Sequence, residues 1–405
     1  MDLEIRPIRD DEFPTFVDTI SAAFSGQAKP EDVERERSIG DLDRCVAAFD
    51  GAEMVGGNSA LTFRMSVPGG SIATAGVTGV GVKPTHRRRG INTAMMRSQL
   101  DDVRAREEPV AILYASEGGI YGRYGFGVAS FQCSIDLGTI RSEYVRGYEP
   151  SGRMRLLERE DALERFRSVY ERRWAVRPGG IELSSAWFAY RFALSHFGEK
   201  RTYIYAAHET AGELDGYAVY RVKHDWGPED TPNHTLEVDD LQALSPQVYA
   251  DLWRYLLDVD LIARVTSDNR PVDEPLLHLL AEPRRLGLRI RDGLWLRPVD
   301  LVAALEARRY GAPGGIVLEV RDRFCPWNDG RVALEGGPDG ASCSPTTRSP
   351  DLVMTVNEVG AVYLGGVSMR ELHRAGRVVE ERPGALARAD AMFGWDPAAW
   401  CPIFF

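Results

Sequence analysis

Three stretches hold residue types whose spacing could do chemistry. The first is Val80-Gly81-Val82-Lys83-Pro84-Thr85-His86-Arg87-Arg88-Arg89-Gly90, leading into Ile91-Asn92-Thr93. Pro84 has no N–H and ends ladder pairing, so Val80, Gly81 and Val82 close a strand. A helix that opens after the turn presents unpaired N–H groups and a positive dipole end, which is an anion site. Gly90 lets an anion approach a backbone that a Cβ would obstruct. Arg87, Arg88 and Arg89 add positive potential around it. These parts suit a cofactor with a pyrophosphate and an amide arm that pairs along the strand edge. The competing reading is a solvated basic face beside an ordinary turn. The order of strand, proline, basic turn, glycine, amphipathic helix and further strand favours the anion site.

The second stretch, Ser116-Glu117-Gly118-Gly119-Ile120-Tyr121-Gly122, is a glycine-rich turn after the apolar run Val110–Ala115. A phenol with a pKa of roughly 10 can donate to a thiolate whose acid is near roughly 8.5. The residues alone leave open whether Tyr121 or Tyr124 does this or is a half-buried aromatic with a wet hydroxyl. His86 titrates in the range of a base. It sits in the anion-binding turn, away from any reacting centre, and reads as a turn residue. The third stretch is the tail Trp400-Cys401-Pro402-Ile403-Phe404-Phe405. Chain ends normally fray into solvent, so an apolar end predicts burial.

The elements that must position these residues alternate. The periodicity predicts a helix over Asp11–Phe24, strands at Cys45–Asp50, Glu53–Met65 and Ile72–Val82, a helix over Thr93–Arg106, and strands at Val110–Ala115 and Ala129–Leu137. After a break at Arg146–Gly152, a similar order returns. It comprises the helix Asp161–Arg173, strands at Thr202–His208, Gly216–Val222 and Glu237–Ala243, and the helix Pro246–Leu257. Ser245-Pro246-Gln247 offers neither the basic run nor the glycine, which marks a degenerate copy without a cofactor site. A third pattern has helices at Asp300–Arg308, Val359–Tyr363, Met369–Ala375 and Ala387–Phe393, and strands at Gly315–Val320, Arg331–Glu335 and Asp351–Val356. The expected class is α/β (α+β), divided at 1–148, 149–290 and 291–405.

The length of 405 residues calls for two or three cores. A formal charge of −11 disfavours nucleic acid, which needs a strongly basic face, and suits amines. Many acidic proteins are so for solubility alone. Cys45, Cys133, Cys325, Cys343 and Cys401 lack CxxC spacing, which predicts neither a disulfide framework nor a zinc site and suits a reducing cytosol. Met1 leads into the mixed stretch Asp2-Leu3-Glu4-Ile5-Arg6, and no apolar run is long enough to span a bilayer. A soluble cytoplasmic protein is expected, with no metal and no membrane partner.

Arg87-Arg88-Arg89-Gly90-Ile91-Asn92 resembles the pyrophosphate loop of the GNAT acetyltransferases, R/Q-x-x-G-x-G/A, and departs from it at Asn92. Pro84–Gly90 and Ala115–Gly127 look like the enhanced intracellular survival (Eis) family of GNAT enzymes. So do Asp292–Arg297, Ala303–Arg308, Tyr363-Leu364-Gly365 and the aromatic terminus, so the likeness covers nearly the whole chain. The resemblance implies tandem GNAT domains, the second lacking the cofactor motif, a sterol-carrier-like third domain, acetyl-CoA as co-substrate and a homohexamer. It implies that Tyr121 protonates coenzyme A and that the Phe405 carboxylate is the base. An α-carboxyl near roughly 3.3–3.7 in water is a poor base, and burial beside aromatic rings would raise it. Without the resemblance, Ile403-Phe404-Phe405 reads as the seal of a hydrophobic seam.

Members that acetylate aminoglycosides hold these polycations with acidic groups near the end of the first helix and one residue before the C-terminus. Gly26 and Phe404 stand there in this chain. Glu31, Asp32, Glu34 and Glu36 could supply charge instead, or form a solvated helix face with Arg35 and Arg37. The expected activity is acetyl transfer to primary amines of a small polyamine-like or aminoglycoside-like substrate. Protein lysine acetylation, an acyl-CoA sensor and a lipid carrier are the competing classes.

Overall fold

The computed structural model describes residues 3–145, 147–193, 195–196 and 199–405. Met1, Asp2 and the Arg146 end of the expected break lie outside the described residues. The chain packs as two compact units. One holds residues up to Ser130 together with Arg177–Glu182 and Asp292–Phe405. The other holds Phe131–Val176 and Leu183–Arg291.

In the first unit the elements run β1 (Leu3–Pro7), α1 (Phe13–Ala23), α2 (Pro30–Arg37), β2 (Cys45–Asp50), β3 (Glu53–Val67), β4 (Gly70–Val82), α3 (Ile91–Ala105), β5 (Val110–Tyr114), α4 (Gly118–Tyr121) and β6 (Gly127–Val128). They make a seven-stranded sheet in the order β1-β2-β3-β4-β5-β16-β6, where β16 is Leu294–Pro298. The Asp292–Arg297 motif therefore lies across β16, a strand its short apolar run did not announce. β16 pairs antiparallel to β5, with Leu296 opposite Ile112. Helix α3 buries Met95, Met96, Leu100 and Val103, and each such side chain contributes about 1.5–3 kcal/mol by leaving water. In α2 the acidic run does not form one solvated face: Asp32 is buried and its carboxylate accepts from Arg35 at 2.7 Å.

The strand expected over Ala129–Leu137 is present as β7 (Phe131–Gly138), but it pairs with β14 in the second sheet, while the two-residue β6 before it stays in the first. A local apolar pattern carries no record of its pairing partner. The second unit continues with β8 (Arg153–Leu157), α5 (Arg159–Glu171), α6 (Ser185–Tyr190), β9 (Ser195–His196), β10 (Glu199–Lys200), β11 (Ile204–Thr210), β12 (Glu213–Lys223), β13 (His234–Ala243), α7 (Pro246–Leu257), β14 (Ile262–Pro271), α8 (Leu276–Leu279) and β15 (Arg289–Asp292). Its seven-stranded sheet has the order β15-β7-β14-β13-β12-β11-β8, and Trp253 and Leu256 of α7 are fully buried in its core.

The remainder of the first unit adds α9 (Leu301–Glu306), β17 (Gly314–Arg321), β18 (Gly330–Gly337), β19 (Gly340–Pro345), β20 (Leu352–Thr355), α10 (Val356–Val362), α11 (Met369–Arg374), β21 (Val379–Glu380) and α12 (Ala385–Phe393). Its five strands order as β19-β18-β17-β20-β21 over a core that includes Leu318, Val359 and Met392. Helix α10 starts at Val356, ahead of the expected Val359, because Thr355 and Glu358 form a reciprocal cap. The observed fold is mixed α/β, with two seven-stranded sheets on one plan and a five-stranded sheet.

Candidate active site

β4 and β5 are parallel neighbours, but they pair only from Thr74↔Val110 to Gly76↔Ile112. β4 continues to Val82, so its last six residues present an edge that β5 does not fill. A bulge marks this stretch: Gly57 faces Gly81 and Ser59 faces Thr78. Bulges of this kind re-aim strand groups next to active sites.

Beyond β4 the turn reaches Gly90 at φ 81°, a left-handed conformation that L side chains rarely adopt, and α3 begins. Among the described residues no side chain caps this helix, so the N–H groups of its first turn remain available to a ligand. A Cβ on Gly90 would meet nothing within 4 Å, which leaves the approach open.

A cavity of about 670 Å³ lies along this edge and turn. Among the residues singled out by sequence, Val80, Gly81, Val82, Arg87, Arg88, Gly90, Ile91, Asn92, Thr93, Ser116 and Glu117 line it. Arg89, Tyr121 and Phe405 do not. The cavity walls also include Phe24, His86, Ile120, Arg123 and Tyr124, which the motif reading passes over or assigns to packing. Arg123 has a visible signal, being a cation next to the glycine-rich tyrosine turn. Phe24 has none, because the end of α1 reaches the turn only in three dimensions.

Arg87 does more than add positive potential. Its guanidinium donates to the Ala23 carbonyl at 2.6 Å and to the Val82 carbonyl at 3.3 Å, fastening the turn to the last residue of α1. His86 places Nδ1 2.8 Å from the Thr85 hydroxyl and Nε2 3.5 Å from Asp50. Asn92 contributes a buried side-chain oxygen with no partner among the described residues.

Tyr121 ends α4, one turn beyond the wall residues Ser116 and Glu117, and is 5% exposed. Its ring lies 6.2 Å from that of Phe126, edge to face. Burial raises the phenol above its ordinary value, and a hydrogen bond with the Ser116 side chain pulls partly the other way. The hydroxyl of Tyr124 is 3.3 Å from that of Thr93.

The C-terminal tail returns to the point where β4 and β5 part. Tyr114, the last residue of β5, donates its hydroxyl to the Ile403 carbonyl at 2.8 Å. The Phe405 ring stands 5.1 Å from Phe63 and 5.5 Å from Tyr114. Gly76, the last residue of β4 that pairs with β5, leaves room for both phenylalanines, since a Cβ there would come within 2.5 Å of Phe63 and 3.3 Å of Phe405. The tail is not buried throughout. Ile403 is buried, whereas Phe404 is 73% exposed, with its ring 4.7 Å from Tyr114.

Among the described residues no group of three His, Cys, Asp or Glu side chains could hold a metal. Among the same residues, no helix is long and apolar enough to cross a membrane.

Comparison with known proteins gives this geometry a family. GNAT acetyltransferase domain models match residues 4–129 and 179–298, and a sterol carrier protein domain model matches 301–402. A Streptomyces avermitilis protein named as an N-acetyltransferase is 44% identical over the whole of both chains. The N-acetyltransferase Eis of Mycobacterium tuberculosis is 33% identical over 96% of each. The crystal structure of Eis1 from Mycobacterium abscessus superposes with a TM-score of 0.87 at 33% identity, over 99% of this chain and 100% of that one. The chain belongs to the Eis family of GNAT N-acetyltransferases.

Proposed function

We propose that the protein transfers the acetyl group of acetyl-CoA directly to primary amines of a small polyamine-like or aminoglycoside-like substrate. The observation that carries this reading is the β4–β5 split, which opens beside an uncapped helix N-terminus and forms one cavity with it. Acetyl-CoA fits that pair of features. Its amide arm can pair with the free edge of β4, and its pyrophosphate can accept from the first turn of α3 with Arg88 nearby.

Acetyl transfer needs an amine freed of its proton, an oxyanion stabilised on the thioester, and a thiolate protonated as it leaves. The amine nitrogen attacks the thioester carbon, and the Phe405 carboxylate takes the ammonium proton. Backbone N–H groups on the open edge of β4 hold the oxyanion. The C–S bond then breaks, and Tyr121 gives its phenolic proton to the coenzyme A sulfur. The Phe405 ring over Gly76 supports the base assignment, and the buried Tyr121 beside Ser116 supports the acid. The exposed Phe404 ring and the Arg35 partner of Asp32 weigh against an aminoglycoside acceptor. A homohexamer, a cytoplasmic location and the division at 148 and 290 belong to the same proposal. That division describes inherited modules rather than compact units.

The test is release of free thiol from acetyl-CoA with polyamines, aminoglycosides and lysine peptides, before and after a few residues are added beyond Phe405. Small amines should be the better acceptors. The extension should lower kcat by roughly 10²–10⁴-fold, the usual contribution of a general base, while acetyl-CoA binding persists. Full kcat in the extended protein removes Phe405 as the base. Turnover on lysine peptides alone assigns a protein acceptor. Acetyl-CoA binding without any thiol release leaves a non-catalytic acyl-CoA binder, and lipid binding without it a carrier.

A further inference from the structure

The turn that carries Tyr121 is held by residues from the far end of the chain. Asn357, in the first turn of α10, donates its amide N–H groups to the carbonyls of Gly122 at 2.7 Å and Phe126 at 2.8 Å. These two carbonyls bracket Gly122–Phe126, the turn that leaves Tyr121. Between them, the Tyr124 carbonyl accepts from buried Arg297 of β16. Arg297 in turn donates to the Asp322 carboxylate at 2.6 Å, which also accepts from the backbone of Phe324 and Cys325. The Phe324 ring stands 5.1 Å from Tyr124.

Close backbone packing makes this grip possible. A Cβ on Gly127 would fall 1.9 Å from the Asn357 carbonyl oxygen, and one on Gly360 would fall 2.2 Å from that of Leu296. Alternate carbonyls of the tyrosine turn are thus gripped, 122 and 126 by Asn357 of the sterol-carrier region and 124 by Arg297 of β16. An asparagine amide has two N–H donors in one plane, so Asn357 sets the distance between two carbonyls and with it the course of the turn.

We infer that Asn357 is a positioning residue for acetyl transfer: it holds the Tyr121 turn so that the phenol meets the departing sulfur. The inference rests on Tyr121 being the general acid. Proton transfer at a leaving atom needs hydrogen-bond geometry, and displacement of about 1 Å can cost on the order of a hundredfold in rate. Asn357 touches neither substrate nor cofactor in this role and acts only through the turn.

The experiment is a double-mutant cycle with Asn357→Ala and Tyr121→Phe, measuring kcat and the KM for acetyl-CoA, with acetyl-CoA binding by calorimetry as the check on folding. Asn357→Ala should lower kcat by about tenfold or more and leave KM and binding within about twofold. In the Tyr121→Phe background the same change should cost almost nothing, because the group it positions has gone. Asn357→Ser, which keeps one donor, should fall between alanine and the native residue, and carries the same cycle if the alanine protein does not bind acetyl-CoA. Equal losses in both backgrounds, or no loss in either, overturn the inference. If Tyr121→Phe alone keeps full kcat, the acid assignment fails first, and that outcome is visible without any change at Asn357.

Discussion

The two seven-stranded sheets share a plan and differ at one junction. The order β1-β2-β3-β4-β5-β16-β6 corresponds place for place to β8-β11-β12-β13-β14-β7-β15. The parallel pair falls at the same place in each, and in each it stops early. β13 pairs with β14 only from His234↔Ile262 to Glu237↔Thr266 before running on to Ala243. The residues beyond the split separate the two sheets. In the first sheet Gly90 leaves the start of α3 uncapped. In the second, Ser245 accepts the Val248 N–H at 3.2 Å, and Pro246 occupies the first helical position with no N–H to offer. The free run of β13 also carries a buried Asp240, engaged by Arg191 at 3.0 Å, Tyr217 at 2.8 Å and Gln242 at 3.0 Å. A split strand pair is thus not by itself a cofactor site. The proposed acetyl-CoA site adds two further conditions, that the next helix leaves its amides unpaired and that no side chain fills the gap.

A second difference lies after β5 and β14. The first sheet leads into α4 and Tyr121, whereas Val272–Leu279 after β14 contains no tyrosine. The largest expected effect lies at this tyrosine. Tyr121→Phe should lower kcat by roughly 10²–10⁴-fold. Burial holds the phenol above its ordinary value, so the acid stays protonated through neutral pH and is lost only as pH rises past that elevated value, above about 10. The native rate should therefore show no decline from this group below about pH 10, and the substituted enzyme should lack the alkaline limb. A native profile that falls near pH 8 would assign the acid to another group.

The next effect tests the junction itself. Gly90 has open space beyond its Cα and a left-handed φ, which aspartate tolerates better than most residues. Gly90→Asp places a negative charge where the pyrophosphate should sit. KM for acetyl-CoA should rise about 10–100-fold, equivalent to about 1.4–2.7 kcal/mol, with helix content unchanged by circular dichroism. An unaltered KM would show that the phosphates bind elsewhere.

The parts of this site that depend on local order are legible in the sequence. The strand before Pro84 and the glycine before α3 arise from propensity and turn chemistry within a few residues, as does the helix Pro246–Leu257 of the second sheet. The resemblance then assigns roles to Tyr121 and Phe405. Features that depend on distant chain leave no such mark. β16 crosses beside β5 although some 180 residues separate them. Arg87 reads as a phosphate contact, yet its guanidinium is committed to Ala23, because the end of α1 arrives beside it. The hold of Asn357 on Gly122 and Phe126 leaves no trace in either segment alone. The apolar tail reads as buried along its length, yet Phe404 is exposed, since alternate residues of an extended terminus face opposite ways.

The smallest expected effect lies in the second sheet and asks whether its sealed helix start is structural. Ser245→Ala removes the acceptor for the Val248 N–H while leaving Pro246 in place. Loss of a serine N-cap costs about 0.5–2 kcal/mol, so amide exchange over the first turn of α7 should quicken by roughly 2- to 30-fold. Val248 and Leu252 of that helix are buried against the sheet, and their packing should keep the rest of α7 protected. Because the first sheet holds the cavity and the tyrosine, kcat and KM should not move. A change in KM for acetyl-CoA on losing this cap would mean that the second helix start takes part in cofactor binding after all. The contrast between an open and a closed helix N-terminus would then describe two working sites rather than one.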